Sequence, residues 1–302
     1  PGHHGRGFSG DHREGAGPVI AFAQRNLKVF FRDRASVFFS LLAVFIVLGL
    51  YAAFLRSTLT RGLEHIPGAE FLMDSWTMAG LLAVTSLTTT LGAAGVLVDD
   101  KVKGIAKDFR CAPLKRSTIV GGYLLASVAV GIVLTTLAFV LSQVFIWANG
   151  GKLLTLAAVL KTLGLIVLSS VTSGAFISFL VSFIKTPNAF AVASTVIGTL
   201  SGFLTGIYVP ISMLPSGIQT AVKLFPISHA AVLFRQVMME VPLAETFAGA
   251  PEAVLTSFQE DFGIMFRFGD AIFSAAGSVA VLVGTTFVFF LLAVWRMLKE
   301  GK

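Results

Sequence analysis

Six apolar stretches, each close to the length that crosses a bilayer, constrain this chain more than any other feature. A helix needs about 20 apolar residues to cross the hydrocarbon core. Lipid offers no hydrogen-bond partner to backbone groups, so such stretches are expected to be helical. They are Phe38–Leu55, Trp76–Val98, Ile119–Ala148, Thr162–Ile184, Ala189–Val209 and Ala271–Trp295. The sequence therefore predicts an all-α membrane protein with six transmembrane helices.

The charge content supports this prediction. Only 13% of the 302 residues are charged, against roughly 25% in soluble domains, so there is too little polar surface for a soluble fold. Residues 1–17 are rich in glycine and histidine and are expected to be a tag remnant or a disordered tail. The remainder, 18–302, is predicted to be a single six-span transmembrane domain. Cys111 is the only cysteine, so no intrachain disulfide can form.

Basic residues are distributed unequally between the two sides of the predicted bundle. Six spans place both termini on one side, which then carries 14 of the 23 basic residues, or 16 with Arg6 and Arg13, whereas the other side carries 7. Basic loops tend to remain in the cytoplasm, so both termini are predicted to be cytoplasmic. The net charge of +7 is then mostly an orientation signal, and nucleic-acid binding is not expected.

A basic segment, residues 22–36, precedes the first span. On a helix its apolar and basic side chains would lie on opposite sides: Phe22, Leu27, Phe30 and Phe31 against Arg25, Lys28 and Arg32. This pattern is typical of an amphipathic helix in the membrane interface. Its basic groups would face anionic lipid or a protein partner, and both alternatives stay open.

A second charged segment, residues 99–117, joins the second and third spans on the cytoplasmic side. Asp99 and Asp100 are expected near the start of a short helix, with Lys107 and Arg110 near its end, which suits the helix dipole. Pro113 would stop this helix. The segment predicts a cytoplasmic docking helix, and an ordinary solvated loop is the alternative.

Residues 210–270, on the outer side, are too apolar for open water and too often interrupted to cross the membrane. Pro210, Pro215 and Pro226 break the chain there, which predicts outer re-entrant helices before the last span. An acidic external loop is expected to follow. His229 and Arg235 are expected to bind backbone carbonyls, with substrate binding as the alternative.

Three glycines, Gly198, Gly202 and Gly206, recur at four-residue intervals in the fifth span. On one helical face they would form a packing seam that lets a neighbouring helix approach closely. Such a seam serves either packing alone or a helix that slides or rocks against its partner.

These segments, in this order, resemble the membrane subunit of ABC type-2 exporters. The resemblance extends over nearly all of 19–302 and rests on "RNLKVFFRDRASVFFS", "DDKVKGIAKDFRCAPLKRSTIVGGY" and "SGFLTGIYVPISMLPSGIQTAVKLFPISHAAVLFRQ". It implies a permease that moves a small amphipathic or hydrophobic substrate, such as a drug, antibiotic or lipid-like molecule, out of the cytoplasm by alternating access. The implied location is the inner (plasma) membrane of a bacterium.

The resemblance also implies roles for particular residues. Segment 99–117 corresponds to the coupling helix that contacts the ATPase subunit, with candidate contacts at Asp100, Lys103, Gly104, Lys107, Phe109, Pro113 and Leu114. One departure is that relatives often carry a glutamate before the glycine, where this chain has Asp99-Asp100 and then basic residues. The second and fifth spans would border a path between two protomers, with Thr85, Thr89, Thr199 and Phe203 as its candidate walls.

The sequence contains no phosphate-binding loop of the Gly-x-x-x-x-Gly-Lys-[Ser/Thr] type. ATP and Mg²⁺ are therefore expected on a partner ATPase subunit, with no cofactor, metal or catalytic site in this chain. The other expected partners are membrane lipid and a second copy of the chain or a related permease. No carboxylate or lysine is expected at mid-membrane, which disfavours a proton- or sodium-driven transporter. An exporter of lipid-linked glycan and a non-transporting scaffold or assembly protein are the alternatives.

Overall fold

A computed structural model describes residues 16–61, 66–105, 109, 115–269 and 271–299. Six of its helices are long and apolar enough to cross a membrane. They are α2 (Arg34–Thr60), α3 (Ala69–Val102), α4 (Arg116–Ala148), α5 (Leu156–Ser182), α6 (Pro187–Leu204) and α11 (Ala275–Lys299). The predicted all-α fold with six membrane helices is thus confirmed.

Helix α3 is the centre of the bundle. It is 34 residues long, or roughly 50 Å, and it packs against α2, α4, α5 and α6. Between Ser75 and Gly95, 14 of its 21 residues are glycine or carry small or hydroxyl side chains, which allows close approach of neighbouring helices. The hydroxyls of residues 85–90 bond carbonyls of their own helix, as Thr85 does to Leu81 O at 2.7 Å, so they need no partner on a neighbouring helix.

Helices α2, α6 and α11 lie at the periphery. Their exposed side chains are large and apolar, as at Phe39, Val192 and Leu291. Such surfaces are unfavourable in water and are expected to face lipid or another membrane helix. The chain is therefore a multi-pass membrane protein whose buried centre is α3.

Before the first span, α1 (Ala16–Arg32) packs along the beginning of α4. Phe22 and Phe30 are buried in this contact, whereas Phe31 is exposed. Part of the apolar side predicted to face lipid is thus covered by protein. Asp33 separates α1 from α2 and caps α2 by accepting bonds from Ala35 N and Ser36 N. Hydrogen bonds from Ser36 lower the pKa of this exposed carboxyl.

On the side opposite the termini, four short helices and a hairpin follow α6. The elements are α7 (Ser216–Leu224), α8 (Pro226–Met238), α9 (Glu240–Thr246), α10 (Glu252–Asp261), and the antiparallel strands β1 (Phe266–Phe268) and β2 (Ala271–Phe273). The hairpin was not predicted, because the residues of β2 continue into the apolar run of α11.

Helices α7 and α8 meet at an angle of 84°. Pro226 is the first residue of α8, where its missing N–H costs no helical hydrogen bond. Helix α8 is buried against α3, α5 and α11, whereas α7 keeps Leu224 exposed. A bent helix pair thus occupies the place where re-entrant helices were predicted.

Candidate functional site

Asp100 forms a buried ion pair at the end of α3 that lies on the side of the termini. Its exposed fraction is 3%. Arg25 of α1 donates to both carboxylate oxygens, with Nη2–Oδ1 at 3.1 Å, and the Tyr123 hydroxyl of α4 donates to Oδ2 at 2.6 Å. The hydrogen bond that Arg25 donates to Asp100 raises the pKa of Arg25. Three helices distant in sequence are therefore joined through one carboxylate.

Aromatic side chains extend this ion pair toward the segment after α3. The Phe22 ring lies edge-on to Phe109 at 4.9 Å and to Tyr123 at 5.1 Å between centroids. The Arg25 guanidinium lies over the Phe109 ring at 5.3 Å. We call Phe22, Arg25, Asp100, Phe109 and Tyr123 the coupling cluster.

Glycine permits the approach of α1 to α4 in this cluster. A Cβ on Gly122 would lie 2.5 Å from Phe22 Cδ1, too close for any other residue without a shift. The second glycine of "GGY", Gly122, is thus the sequence signal for this helix contact.

The predicted coupling helix begins later than expected. Asp99 and Asp100 lie in the last turns of α3, and the break falls at Gly104, whose φ is +79°. A φ in the left-handed region favours glycine. Beyond the break, the described residues are Ile105 and the helical Phe109.

The structure separates the predicted ATPase contacts into two groups. Lys103 is exposed and pairs with Asp99 at 3.4 Å, Gly104 is partly exposed, and Phe109 is partly buried. Asp100 is buried within the chain, so the prediction that places it on the ATPase contact surface is corrected. Lys107, Pro113 and Leu114 lie outside the described residues.

A second buried carboxylate, Asp74, lies at the opposite end of α3 with 1% of its surface exposed. Tyr51 of α2 donates to its Oδ1 at 2.7 Å, and Arg56 donates at 3.0 and 3.2 Å. Arg56 also donates to Glu70 at 2.9 Å. We call these four residues the outer cluster.

A π-helical turn at Tyr51–Leu55 brings the α2 members of the outer cluster together. Arg56 N–H bonds Tyr51 O across five residues. In a regular α-helix these two side chains would point about 140° apart; the wider π turn aligns both toward α3. Sequence reasoning missed this cluster, although Arg56 at the end of the first span and Asp74 at the start of the second were a usable signal for a pair at the same membrane edge.

The two clusters bracket an uncharged stretch of α3. Asp74 and Asp100 are 26 residues apart in one helix, or roughly 39 Å, which exceeds the hydrocarbon thickness of about 30 Å. Both carboxylates therefore lie near the membrane surfaces, and residues 75–98 between them carry no charge.

A groove of about 510 Å³ lies between α2, α3 and α6. Among the described residues its lining combines aromatic, hydroxyl and glycine positions without a charged side chain: Phe39, Ser40, Thr88, Gly92, Phe190 and Ser194, with further small residues. Ser194 Oγ is buried and has no hydrogen-bond partner among the described residues. The groove can therefore accept an apolar molecule and offer it a hydroxyl.

The four predicted pathway residues do not come together in this groove. Thr85 and Thr89 are buried within the bundle, and Thr199 and Phe203 lie on the exposed surface of α6. The neighbouring positions Thr88 and Gly198 line the groove instead. Both α3 and α6 border the groove, but the sequence could not show which of their faces do so.

The three glycines of α6 also do not form one seam. A Cβ on Gly198 would meet nothing within 4 Å, whereas on Gly202 it would lie 2.1 Å from Tyr208 Cε2. Gly206 follows the helix end with φ +66°, and Ile207 N bonds Gly202 O at 3.2 Å. This is a Schellman motif, so the prediction of a shared helical face is wrong for Gly206.

His229 and Arg235 bind backbone carbonyls, as the sequence predicted. His229 Nε2 is 3.0 Å from Lys223 O and Nδ1 is 3.2 Å from Ser278 Oγ. A carbonyl only accepts, so Nε2 carries the proton and Nδ1 accepts from the serine. Arg235 donates to three carbonyls around the end of α6.

Comparison with known proteins identifies the same family that the sequence resembles. A family model described as "ABC-2 family transporter protein" matches residues 68–295, from the beginning of α3 to nearly the end of α11. A search of curated proteins found no match.

Proposed function

The chain belongs to the ABC-2 transporter family, and we propose that it is the permease subunit of an ATP-driven exporter. A permease of this family is a membrane transport component that normally works with an ATPase subunit. In this proposal ATP and Mg²⁺ bind that separate subunit, both termini are cytoplasmic, and the protein lies in the inner membrane of a bacterium. The coupling cluster is the observation that carries the proposal.

The coupling cluster connects a docking segment with the helices that border the groove. Phe109 follows the break at Gly104 and packs on Phe22 and Arg25. Arg25 in turn holds Asp100 of α3. Displacement of this segment by an ATPase subunit would thus be transmitted to α1, α3 and α4 together. Lys103 and Gly104 with Lys107, Pro113 and Leu114 are the proposed contact positions, and Asp100 and Phe109 act inside the chain.

The groove supports the proposed substrate class. Aromatic rings and small apolar residues provide dispersion contacts, and isolated hydroxyls provide hydrogen bonds, which suits a small amphipathic molecule. The lining has no cation to bind a phosphate or carboxylate group. A neutral or weakly polar drug, antibiotic or lipid-like molecule therefore fits better than a strongly anionic cargo.

A second copy of the chain, or a related permease, completes the proposed pathway. Thr199 and Phe203 lie on the exposed face of α6 beside Val196 and Leu200. The outward apolar surface of this helix lies next to the groove. Alternating access would then require α6 to move against α2 and α3.

Reconstitution tests the proposed function. The chain is co-expressed with an ATPase subunit encoded beside its gene, purified as a complex and placed in liposomes with a fluorescent amphipathic dye. We expect the complex to form, ATP hydrolysis to depend on this chain, and dye transport to stop with an ATPase subunit unable to hydrolyse ATP. Failure to capture an ATPase subunit would instead favour the scaffold alternative.

A larger side chain at one position of the groove lining is expected to block transport. In Ser194→Phe the added ring would occupy the groove beside Phe190, and dye transport should fall at least fivefold without a change in membrane level. Val288→Phe adds the same ring to the exposed surface of α11 and is the matched control. Equal transport by the two variants would show that the groove is not on the pathway.

Gly202→Leu is expected to impair transport more than membrane insertion. The new side chain would displace Tyr208 from the turn after α6, changing the end of the proposed moving helix while leaving its apolar span intact. Gly284→Leu, at an exposed position of α11 where the new side chain meets open space, is the comparison for insertion. Membrane levels and dye transport are measured for both, and full transport by Gly202→Leu would contradict this role for the turn.

A further inference from the structure

Two side chains of α8 bind the last backbone carbonyls of α6. Ser228 Oγ donates to Leu204 O at 2.6 Å, and Arg235 Nη2 donates to Thr205 O at 2.9 Å and Gly206 O at 3.1 Å. The final carbonyls of a helix lack intrahelical partners, and they carry partial negative charge that favours a nearby cation. The end of α6 is therefore attached to α8 by hydrogen bonds that give its final carbonyls a donor and the buried Ser228 and Arg235 side chains an acceptor.

Arg235 connects the same helix end to two further elements. Its Nη1 donates to Gly263 O at 3.2 Å, and its guanidinium lies over the Trp76 ring of α3 at 4.8 Å. Trp76 Nε1 donates to Phe262 O at 2.7 Å. One guanidinium thus joins α6, α3 and the loop after α10.

The bonding of Arg235 is unusual for a fully enclosed cation. Its exposed fraction is 0%, no described carboxylate pairs with it, and its Nε has no hydrogen-bond partner among the described residues. A buried charge is costly unless it is paired. Backbone carbonyls compensate that cost only in part, and water could replace them if this region opened.

The two helices joined by these bonds differ in how firmly they are held. Helix α8 is buried between α3, α5 and α11, whereas α6 is exposed along most of its length. Helix α6 is therefore the member free to move, and α8 is the fixed support. The bonds lie at one end of α6, and the groove lies near its other end.

We propose that Ser228 and Arg235 form a latch that keeps the outer end of the pathway closed. In this inference, which rests on the proposed exporter function, breaking the bonds to Leu204, Thr205 and Gly206 releases α6 and admits water from the outer side. The freed carbonyls and the guanidinium then become hydrated. Both side chains are positioning residues, because they act on α6 and not on cargo.

Cysteine accessibility tests the latch directly. The lone cysteine is removed as Cys111→Ser, and Ser201→Cys is introduced in α6, one turn before Leu204 at a buried position. A membrane-impermeant methanethiosulfonate cation is then applied from the outside to intact cells. We expect slow labelling with the latch intact, at least tenfold faster labelling in Arg235→Met, and about threefold faster labelling in Ser228→Ala.

Conservative and matched variants separate the latch from a general structural role. Arg235→Lys should label at an intermediate rate, because an ammonium keeps the charge but lacks the planar fork. Lys223→Met removes another basic group that binds a backbone carbonyl, Arg267 O at 2.8 Å, and should leave labelling unchanged. Ser173→Cys, buried in α5, should stay unlabelled in every variant.

Each outcome bears on the proposal. Faster labelling confined to Ser201→Cys supports the latch, whereas faster labelling at Ser173→Cys as well, or no change at either position, overturns it. If Arg235→Met does not reach the membrane, Ser228→Ala and Arg235→Lys carry the same test. If the unmodified complex transports dye but the latch variants do not change the labelling rate, the latch is contradicted and the exporter function is not. If the unmodified complex does not transport dye, the exporter function is contradicted.

Discussion

Replacing Asp74 with alanine is expected to lower the free energy of unfolding by about 3 kcal/mol, because it leaves the buried Tyr51 hydroxyl without its acceptor and leaves Arg56 with the exposed Glu70 as its remaining partner. For a chain of this size the corresponding fall in Tm is roughly 10 °C. The measurement is thermal unfolding of the purified protein in detergent, followed by circular dichroism.

Glu70→Ala is the matched control for Asp74→Ala. Glu70 accepts from the same Arg56, but its side chain is 66% exposed, so its loss should cost less than about 1 kcal/mol. The triple variant Tyr51→Phe, Arg56→Met and Asp74→Leu should recover most of the stability, because apolar side chains can replace a buried ion pair and no buried hydroxyl is left without an acceptor. Equal Tm shifts for Asp74→Ala and Glu70→Ala would show that burial of this carboxylate does not matter.

Replacing Asp100 with alanine is expected to reduce the stimulation of ATP hydrolysis by this chain at least tenfold. Arg25 would lose its carboxylate, and the contact that joins α1, α3 and α4 to Phe109 would be broken. The ATPase subunit should still co-purify, because the proposed contact positions are unchanged. The measurement compares ATP hydrolysis by the reconstituted complex with the amount of captured subunit.

Asp99→Ala is the control one residue away. Asp99 is 59% exposed and pairs with the exposed Lys103, so coupling should stay within twofold of the unmodified chain. Arg25→Lys should be intermediate, since an ammonium cannot bind both carboxylate oxygens as a fork does. Normal stimulation by Asp100→Ala would remove the coupling cluster from the mechanism.

The ion pair at Arg25 is expected to contribute equally at all pH values used for transport. Its pKa is raised in the folded state by Asp100, so the stabilisation is complete below the ordinary arginine value and is lost only as the pH rises through the raised one. The stability difference between the unmodified chain and Arg25→Met should thus be constant from about pH 6 to 9.

The spans could be predicted from sequence because each is a local property of about 20 residues. The bend at Pro226 was also readable, since proline acts on its own backbone, whereas the break at Gly104 was missed because Asp99 and Asp100 looked like the start of a new helix. The predicted end of α6 at Val209 was less accurate, since the helix ends at Leu204. Gly206 looked like a third seam position, but it lies in the turn that follows the helix. That turn forms because Ile207 N bonds back to Gly202 O, which the spacing of the glycines does not reveal.

The faces of the helices could not be assigned in the same way. Thr88 and Thr89 are adjacent and chemically identical, yet one lines the groove and the other is buried. Asp99 and Asp100 differ as sharply in exposure. A rotation of 100° per residue separates such neighbours, and hydropathy in a uniformly apolar helix does not reveal which direction faces a cavity.

By itself the sequence determined that this chain folds in a membrane, with six helices and more basic charge on the side of its termini. Both are local properties, because about 20 apolar residues suffice for a membrane helix and basic loop residues set its orientation. Only the tertiary structure decided that Asp74 and Asp100 anchor the two ends of α3 and that Arg235 binds the end of α6. Those contacts join residues far apart in the chain, so their existence depends on how the helices pack and rotate against one another.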